Sequence, residues 1–171
     1  MVVLLALFFV VFFVAIYMAK AKKVDVLQIM GIGETFDFDD IARPNSTTGG
    51  VLNGPPPEAF RTNIDRTVRA VNVIYRAYTP GVRIVSGYRS PAYNAAVSGA
   101  VKSQHLQGLA VDMAPLDGDV SALNQTVLAL IQSGALSEGG IGLYRTFLHY
   151  DLRGVKARWG SLADNVRNGD T

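Results

Sequence analysis

The pattern of hydrophobic and polar positions divides the chain into a uniformly apolar start and a longer part in which apolar and polar residues are mixed. Residues 1–19 are apolar without exception, and Lys20, Lys22 and Lys23 follow. A helix of this length spans roughly 28 Å at about 1.5 Å per residue, which matches a hydrocarbon core of ~30 Å. Tyr17 lies where an interfacial aromatic residue is expected, and the lysines suit the headgroup region. We therefore predict a transmembrane anchor over residues 1–19.

A cleaved signal peptide is the alternative interpretation of this segment. Ala19-Lys20-Ala21 offers a small-x-small cleavage pattern. However, no positive charge precedes the apolar stretch, which is longer than the ~7–15 residues usual in a signal peptide. An uncleaved anchor is therefore the prediction. Its orientation is open, because the lysines all lie on the C-terminal flank and the positive-inside rule would then keep the following domain in the cytoplasm.

Residues 20–57 lack a clear helical or strand period. They include an acidic patch in the stretch FDFDDI, which we interpret as a solvated surface. Pro, Gly, Asn and Ser then dominate residues 44–57, and this composition favours irregular structure. The sequence therefore predicts a linker or a loosely wrapped arm over residues 20–57, followed by a folded domain over residues 58–171.

From Glu58 onward, apolar residues recur with helical and strand spacing. Phe60, Ile64 and Val68 begin a run of apolar positions three or four apart, which predicts an amphipathic helix ending at Thr79-Pro80-Gly81. The other predicted elements are a short helix over 90–96, a helix over 120–131 and strands over 82–85, 109–114, 140–144 and 147–152. This mixture predicts an α+β fold in which a small antiparallel sheet with flanking helices carries the functional site.

Composition and charge exclude several classes of protein. The chain contains no cysteine, so disulfides and thiolate metal sites are excluded. The formal net charge is +2 and there is no long basic run, so nucleic-acid binding has no compositional support. The chain has two histidines, His105 and His149, and their positions suggest the chemistry.

Both histidines lie in short segments that also contain a carboxylate. His105 is in SQHLQGLAVD, where Asp112 follows it, and His149 is in FLHYDLR. Two imidazoles and one carboxylate form a three-ligand set that leaves one position of tetrahedral zinc open for water, which is the catalytic arrangement. From spacing alone, a coincidental placement of these residues stays open as the alternative.

Three segments in order, SGYRSPAYN, SQHLQGLAVDM and GGIGLYRTFLHYDLRG, carry a family resemblance. They resemble the zinc D-alanyl-D-alanine carboxypeptidase and L-alanyl-D-glutamate endopeptidase family, cell-wall peptidases that include phage endolysins. The family signature Ser-x-His-x-x-Gly-x-Ala-x-Asp occurs without a gap, as Ser103, His105, Gly108, Ala110 and Asp112. The resemblance covers roughly Glu58 to Trp159 and implies a zinc peptidase that cuts stem peptides of bacterial peptidoglycan.

The resemblance also implies individual roles. His105, Asp112 and His149 are expected to bind Zn²⁺. Arg89 matches the family's arginine that holds substrate or the developing oxyanion, and a guanidinium suits both tasks; a surface arginine after a strand is the alternative. Ser103 is expected either to support the ligands by hydrogen bonding or to cap a turn.

The general base is where the chain departs from part of the family. Many members carry Glu or Asp three residues before the last zinc histidine, but Thr146 stands there in this chain. Asp151 lies two residues after His149 and points to the same face of a strand, so we predict Asp151 as the catalytic base. Arg153 lies on that face too and could instead neutralise Asp151. Glu138 is the reserve candidate, and a base elsewhere in the chain stays open as the third alternative.

Together these features predict a membrane-anchored zinc metallopeptidase that acts on peptidoglycan stem peptides, with either the D-Ala-D-Ala or the L-Ala-D-Glu bond as its target. A catalytically lapsed binding or structural protein on the same fold is the first alternative. A peptidase acting on a different peptide is the second. The lysine flank favours a cytoplasmic domain, whereas a cell-wall substrate requires the domain outside the inner membrane. Because of the substrate, we expect the catalytic domain in the periplasm, or in a virion membrane if the protein is a phage lytic enzyme.

Overall fold

A computed structural model describes residues 36–43 and 45–161 of the chain. The predicted membrane segment 1–19 and the first part of the predicted linker lie outside these ranges. Among the described residues, no helix combines the length and the apolar character needed to cross a membrane. The described residues belong to a single folded unit that begins at Phe36.

The described residues form an α+β domain, as the sequence predicts. The two longer helices, the short helix and the four predicted strands are confirmed, with small shifts at their ends. In chain order the elements are α1 (Phe38–Ala42), β1 (Thr47–Thr48), β2 (Val51–Leu52), α2 (Arg61–Ala77), β3 (Val82–Ser86), α3 (Pro91–Ala96), β4 (Ala110–Pro115), α4 (Val120–Gln132), β5 (Gly140–Leu143), β6 (Leu148–Asp151) and β7 (Ala157–Trp159), with 3₁₀ turns at Glu58–Phe60 and Gln104–Gln107.

Helices α2 and α4 pack against each other and against the central strands of the main sheet. On α2, Ile64, Val71 and Ile74 are fully buried, because their spacing of three and seven residues places them on one face of the helix. On α4, Leu123 and Val127 are also fully buried on one face of the helix. This core supports the strands that carry the candidate ligands.

The main sheet has the strand order β3-β4-β6-β5-β7. Its first four strands pair antiparallel, as expected, whereas β7 pairs parallel to β5. The sequence does not predict β7, because three residues are too few to show a strand period. The central strands β4 and β6 are buried along their whole length.

The described part of the predicted linker or arm forms short ordered elements. Asp37 caps α1 by accepting hydrogen bonds from the backbone of Asp39 and Asp40, and the Asp40 side chain accepts one from Asp37 in return. Ile41 on this helix is fully buried in the core. Part of the acidic patch therefore caps a helix, and hydrophobic spacing misses α1 because five residues are too short for a helical period.

Asn53 ties this arm to the segment that carries Arg89. Its Nδ2 donates to the Tyr88 carbonyl over 2.9 Å and to the Arg43 carbonyl over 3.2 Å. Its Oδ1 accepts from the Ser90 backbone N–H over 2.7 Å. The side chain of Asn53 is 1% exposed, so these bonds are made away from water and fix the backbone on both sides of Arg89.

Candidate metal centre

The sheet brings the three predicted zinc ligands together. Asp112 on β4 and His149 on β6 are direct partners in the antiparallel register. His105 lies on the 3₁₀ turn just before β4. This turn ends at Gly108, whose φ of +67° favours glycine and whose Cα lies so close to Ile64 that a Cβ would be 2.6 Å from its side chain.

The ligand atoms of these residues form a small triangle. Asp112 Oδ1 lies 2.8 Å from His149 Nδ1 and 3.2 Å from His105 Nε2. The two ring nitrogens are 3.1 Å apart. All three residues are buried, and they also line a cleft of about 550 Å³.

This triangle fits a zinc ion. At zinc–ligand bonds of about 2.1 Å, tetrahedral geometry places neighbouring ligand atoms about 3.4 Å apart. The observed separations of 2.8, 3.1 and 3.2 Å need only a small expansion to reach that value. Two imidazole nitrogens and one carboxylate oxygen are also the donor types that zinc takes in open, catalytic sites.

Backbone contacts hold His105 in one orientation. Its Nδ1 lies 2.6 Å from the Gly87 carbonyl oxygen. Because a carbonyl only accepts, Nδ1 carries the proton and Nε2 presents its lone pair to the triangle. The Ser103 hydroxyl accepts from the His105 backbone N–H over 3.3 Å, so Ser103 caps the turn, which was the alternative expected for it. Burial lowers the pKa of His105, which favours the neutral ring that a metal requires.

His149 faces the triangle with Nδ1, whereas His105 uses Nε2. The Nε2 of His149 lies 3.0 Å from Asp151 Oδ2, which leaves Nδ1 for the triangle. Burial lowers the pKa of His149, but its hydrogen bonds to Asp112 and Asp151 outweigh burial, and the net shift is upward. Trp159 lies beside the ring, with centroids 5.1 Å apart.

Asp151, the predicted base, is completely buried. Besides His149, its carboxylate accepts from the Gly140 backbone N–H over 3.1 Å and from Arg153 Nε and Nη2 over 2.8 and 2.6 Å. Burial raises the pKa of Asp151, but the hydrogen bonds from His149 and Arg153 outweigh it and leave the pKa well below its usual range. Both oxygens are therefore in use, and Asp151 lies at the ring nitrogen of His149 that faces away from the triangle.

Arg89 contacts the triangle and also lines the cleft. Its Nη2 donates to Asp112 Oδ2 over 2.5 Å, and its Nε donates to Ser86 Oγ over 2.9 Å. Within the described part of the chain, its Nη1 has no hydrogen-bond partner. Arg89 therefore holds one predicted ligand, and its Nη1 is left without a partner among the described residues.

Glu138, the reserve candidate for the base, lies away from the triangle. It accepts from Arg158 Nη2 over 2.9 Å and from the Gly139 backbone N–H over 3.0 Å. It is not among the residues that line the cleft, so the structure does not bring it together with the predicted ligands.

Two aromatic residues form a wall of the cleft next to His149. The Trp159 indole N–H donates to the Tyr144 hydroxyl over 3.0 Å. Both rings lie against Gly142, the residue paired with His149 across β5 and β6, and a Cβ at Gly142 would be 2.7 Å from Trp159 Nε1. The missing side chain at Gly142 thus makes room for this wall.

A comparison with protein families supports a metal centre at this place in the fold. A family model described as Peptidase M15 matches residues 34–151, which is more than half of the chain and includes all three ligand candidates. The chain therefore belongs to the M15 zinc peptidase family, which includes D-Ala-D-Ala carboxypeptidases and endolysins. M15 peptidases depend on zinc, and the His-Asp-His group could bind this metal. No match was found among the curated proteins compared with the chain.

Proposed function

We propose that this protein is a membrane-anchored zinc peptidase that hydrolyses bonds in peptidoglycan stem peptides. Family membership supports a zinc peptidase that acts on peptidoglycan in general. The observation that carries the proposal is the buried triangle of His105, Asp112 and His149, which lines a cleft of about 550 Å³. Held by these three residues, zinc would supply an activated water and a Lewis acid for the scissile carbonyl.

Arg89 has two tasks in this proposal. Its Nη2 holds Asp112 Oδ2, so that Oδ1 stays directed at the two histidines. Its free Nη1 donates to the substrate, either to a carboxylate or to the oxygen that becomes negative in the transition state. This agrees with the role that the sequence resemblance implies for Arg89.

Asp151 acts as a positioning residue for His149 in this proposal. A carboxylate on the second nitrogen of a metal-binding histidine fixes the tautomer and orientation of its ring. Asp151 Oδ2 has this place, at 3.0 Å from His149 Nε2. To serve as the general base that the sequence suggests, Asp151 would first have to release Arg153 and turn away from His149.

A catalytically lapsed binding protein on the same fold is the second candidate. It is favoured by one observation: among the described residues that line the cleft, Asp112 is the only carboxylate, and Arg89 and the histidines occupy it. Such a protein would bind zinc and stem peptides without cleaving them.

A zinc assay combined with mass analysis of digested muropeptides tests the two candidates. We expect about one zinc per chain and cleavage of one stem-peptide bond, and the product masses identify whether that bond is D-Ala-D-Ala or L-Ala-D-Glu. Zinc-loaded protein that binds stem peptides but leaves them intact would favour the binding protein. Cleavage of other peptides alone would move the substrate away from the cell wall.

The location is a separate part of the proposal. A peptidoglycan substrate and the apolar segment 1–19 support a catalytic domain on the periplasmic side, or in a virion membrane for a phage lytic enzyme. Protease treatment of intact spheroplasts tests the cellular orientation. Digestion of the domain supports the periplasmic side, whereas a protected domain excludes it.

A further inference from the structure

The charged side chains of the cleft are mostly cations. Among the described residues, those lining it are Arg89, Lys102 and Arg153, against the single carboxylate of Asp112. Since Asp112 directs one oxygen at the two histidines, it has little charge left for a substrate. The cleft therefore favours anionic ligands before any metal charge is counted.

Two of these three cations already have carboxylate partners. Arg89 pairs with Asp112 Oδ2. Arg153 forms a two-point contact with Asp151, and its guanidinium carbon lies 5.0 Å from the Trp159 ring centroid. Each of these two pairs is therefore close to neutral as a whole.

Lys102 is the cation without such a partner. It is exposed, and it forms no ion pair or hydrogen bond through its side chain with any described residue. It lies directly before Ser103, whose backbone N–H donates to the Ala100 carbonyl over 3.0 Å and whose hydroxyl caps the turn of His105. Three residues of chain place its Cα at most about 11 Å from that of His105. The neighbouring backbone thus holds Lys102 at the rim of the cleft, and its side-chain charge is available.

We propose that Lys102 is a specificity-determining residue that binds a carboxylate of the peptide substrate. The inference rests on the proposed function, because the stem peptide supplies that carboxylate either at its glutamate residue or at its C-terminus. An ammonium on a flexible stem acts as a point charge and reaches a carboxylate without a strict geometry. Peptides with the free acid at the recognised position should therefore be better substrates than their amides.

The test uses full-length, zinc-loaded protein and stem peptides that carry either an acid or an amide at the glutamate and, independently, at the C-terminus. Lys102→Met should reduce the acid-to-amide ratio of kcat/KM by about twofold to fivefold at one of the two positions, the range of a solvent-exposed ion pair. That position identifies the recognised carboxylate. Lys102→Glu should reduce the ratio further. Lys156→Met, an exposed lysine outside the cleft lining, is the matched control and should change neither ratio.

Two results separate this inference from the proposed function. If the wild type cleaves the peptides but Lys102→Met leaves both ratios unchanged, the inference is wrong and the proposed function stands. If the wild type cleaves none of them, the peptidase proposal fails. In that case calorimetry gives the dissociation constants of the same peptides. The acid-to-amide ratio of these constants, compared between the wild type and Lys102→Met, then tests the role of Lys102.

Discussion

Asp151 Oδ2 lies 3.0 Å from Nε2 of His149, the ring nitrogen opposite the one that faces Asp112. A carboxylate only accepts at this contact, so Nε2 carries the proton and Nδ1 presents its lone pair to the metal site. His105 has the reverse arrangement, with Nδ1 on the Gly87 carbonyl and Nε2 in the triangle. The two histidines therefore present different nitrogens, and each choice is set by a neighbour outside the triangle.

Asp151→Ala should weaken zinc binding by about 10- to 100-fold, because the ring of His149 loses the partner that orients it. Asp151→Asn keeps an oxygen that accepts from Nε2, so its loss of affinity should be smaller. Zinc affinity is measured by competition with a chelator, and circular dichroism checks that each variant is folded. Normal zinc affinity in both variants, with turnover abolished, would instead identify Asp151 as the general base.

His105→Ala and His149→Ala should each abolish zinc binding and peptidase activity together. Each change removes one corner of a buried triangle and leaves two ligands, which are too few for a catalytic site. Metal content after dialysis and muropeptide cleavage are measured on the same samples. Full activity in either variant would exclude that histidine as a ligand.

Arg89→Ala should reduce kcat/KM by about 10²- to 10³-fold, the usual effect of removing a donor to the developing oxyanion. Sequence reasoning alone expects normal zinc content in this variant. The structure predicts in addition that Arg89→Ala binds zinc about tenfold or more weakly. The reason is that Asp112 Oδ2 loses its contact with Arg89 Nη2, which supports this ligand. Arg89→Lys keeps the charge but not the paired contacts. It should therefore recover zinc affinity only in part, and full recovery of both properties would contradict the paired geometry.

Gly142→Ala should displace the aromatic wall beside His149. A Cβ there would lie 2.7 Å from Trp159 Nε1 and 3.1 Å from a Tyr144 ring carbon, which is too close for either ring to stay in place. We expect the free energy of unfolding to fall by about 1–3 kcal/mol, the usual cost of overpacking. Gly54→Ala is the control, because its Cβ would find its nearest neighbour at 3.9 Å. If urea unfolding gives the two variants the same free energy of unfolding, the aromatic wall moves aside without loss of stability.

Tyr150 gives the fold a sensitivity to high pH. Burial raises the pKa of Tyr150 to about 12, above its ordinary value near 10, and its hydroxyl donates to the Ser137 carbonyl over 2.6 Å. The folded state therefore favours the neutral phenol. Its contribution is complete below pH 10 and is lost as the pH rises from about 10 to 12, at a cost of about 2–3 kcal/mol. Denaturant titrations at several pH values should show this loss in the wild type and a smaller one in Tyr150→Phe. If the free energy of unfolding falls with pH as steeply in Tyr150→Phe as in the wild type, another group causes the sensitivity.

The sequence predicts the parts of this fold that have a period or a signature. Asp112 and His149 lie on strands that hydrophobic spacing locates, and the signature supplies His105. The antiparallel pairing of the two strands could be expected, but not the register that makes Asp112 and His149 direct partners. That register depends on packing between β4 and β6 rather than on either strand alone.

Other features leave no local signal. Asn53 lies in a stretch rich in Gly and Pro, and its importance comes from hydrogen bonds to backbone groups that are distant in sequence. Lys102 looks like an ordinary surface lysine until the cleft is seen to include it. The sequence leaves the role of Asp151 ambiguous, because it places Arg153 on the same face of the strand. Only the three-dimensional contacts show that Arg153 and His149 occupy both oxygens.

The bonds of Asn53 decide where this protein can be cut without loss. If residues 1–19 anchor it, proteolysis of the segment that follows would release the domain from the membrane. A cut before Phe36 would release all the described residues together, with the backbone around Arg89 still supported on both sides. A cut after Asn53 would leave the predicted zinc ligands in the released fragment but detach the arm that holds Arg89. A shed form of the enzyme would therefore be active or impaired according to a boundary well upstream of the ligand residues.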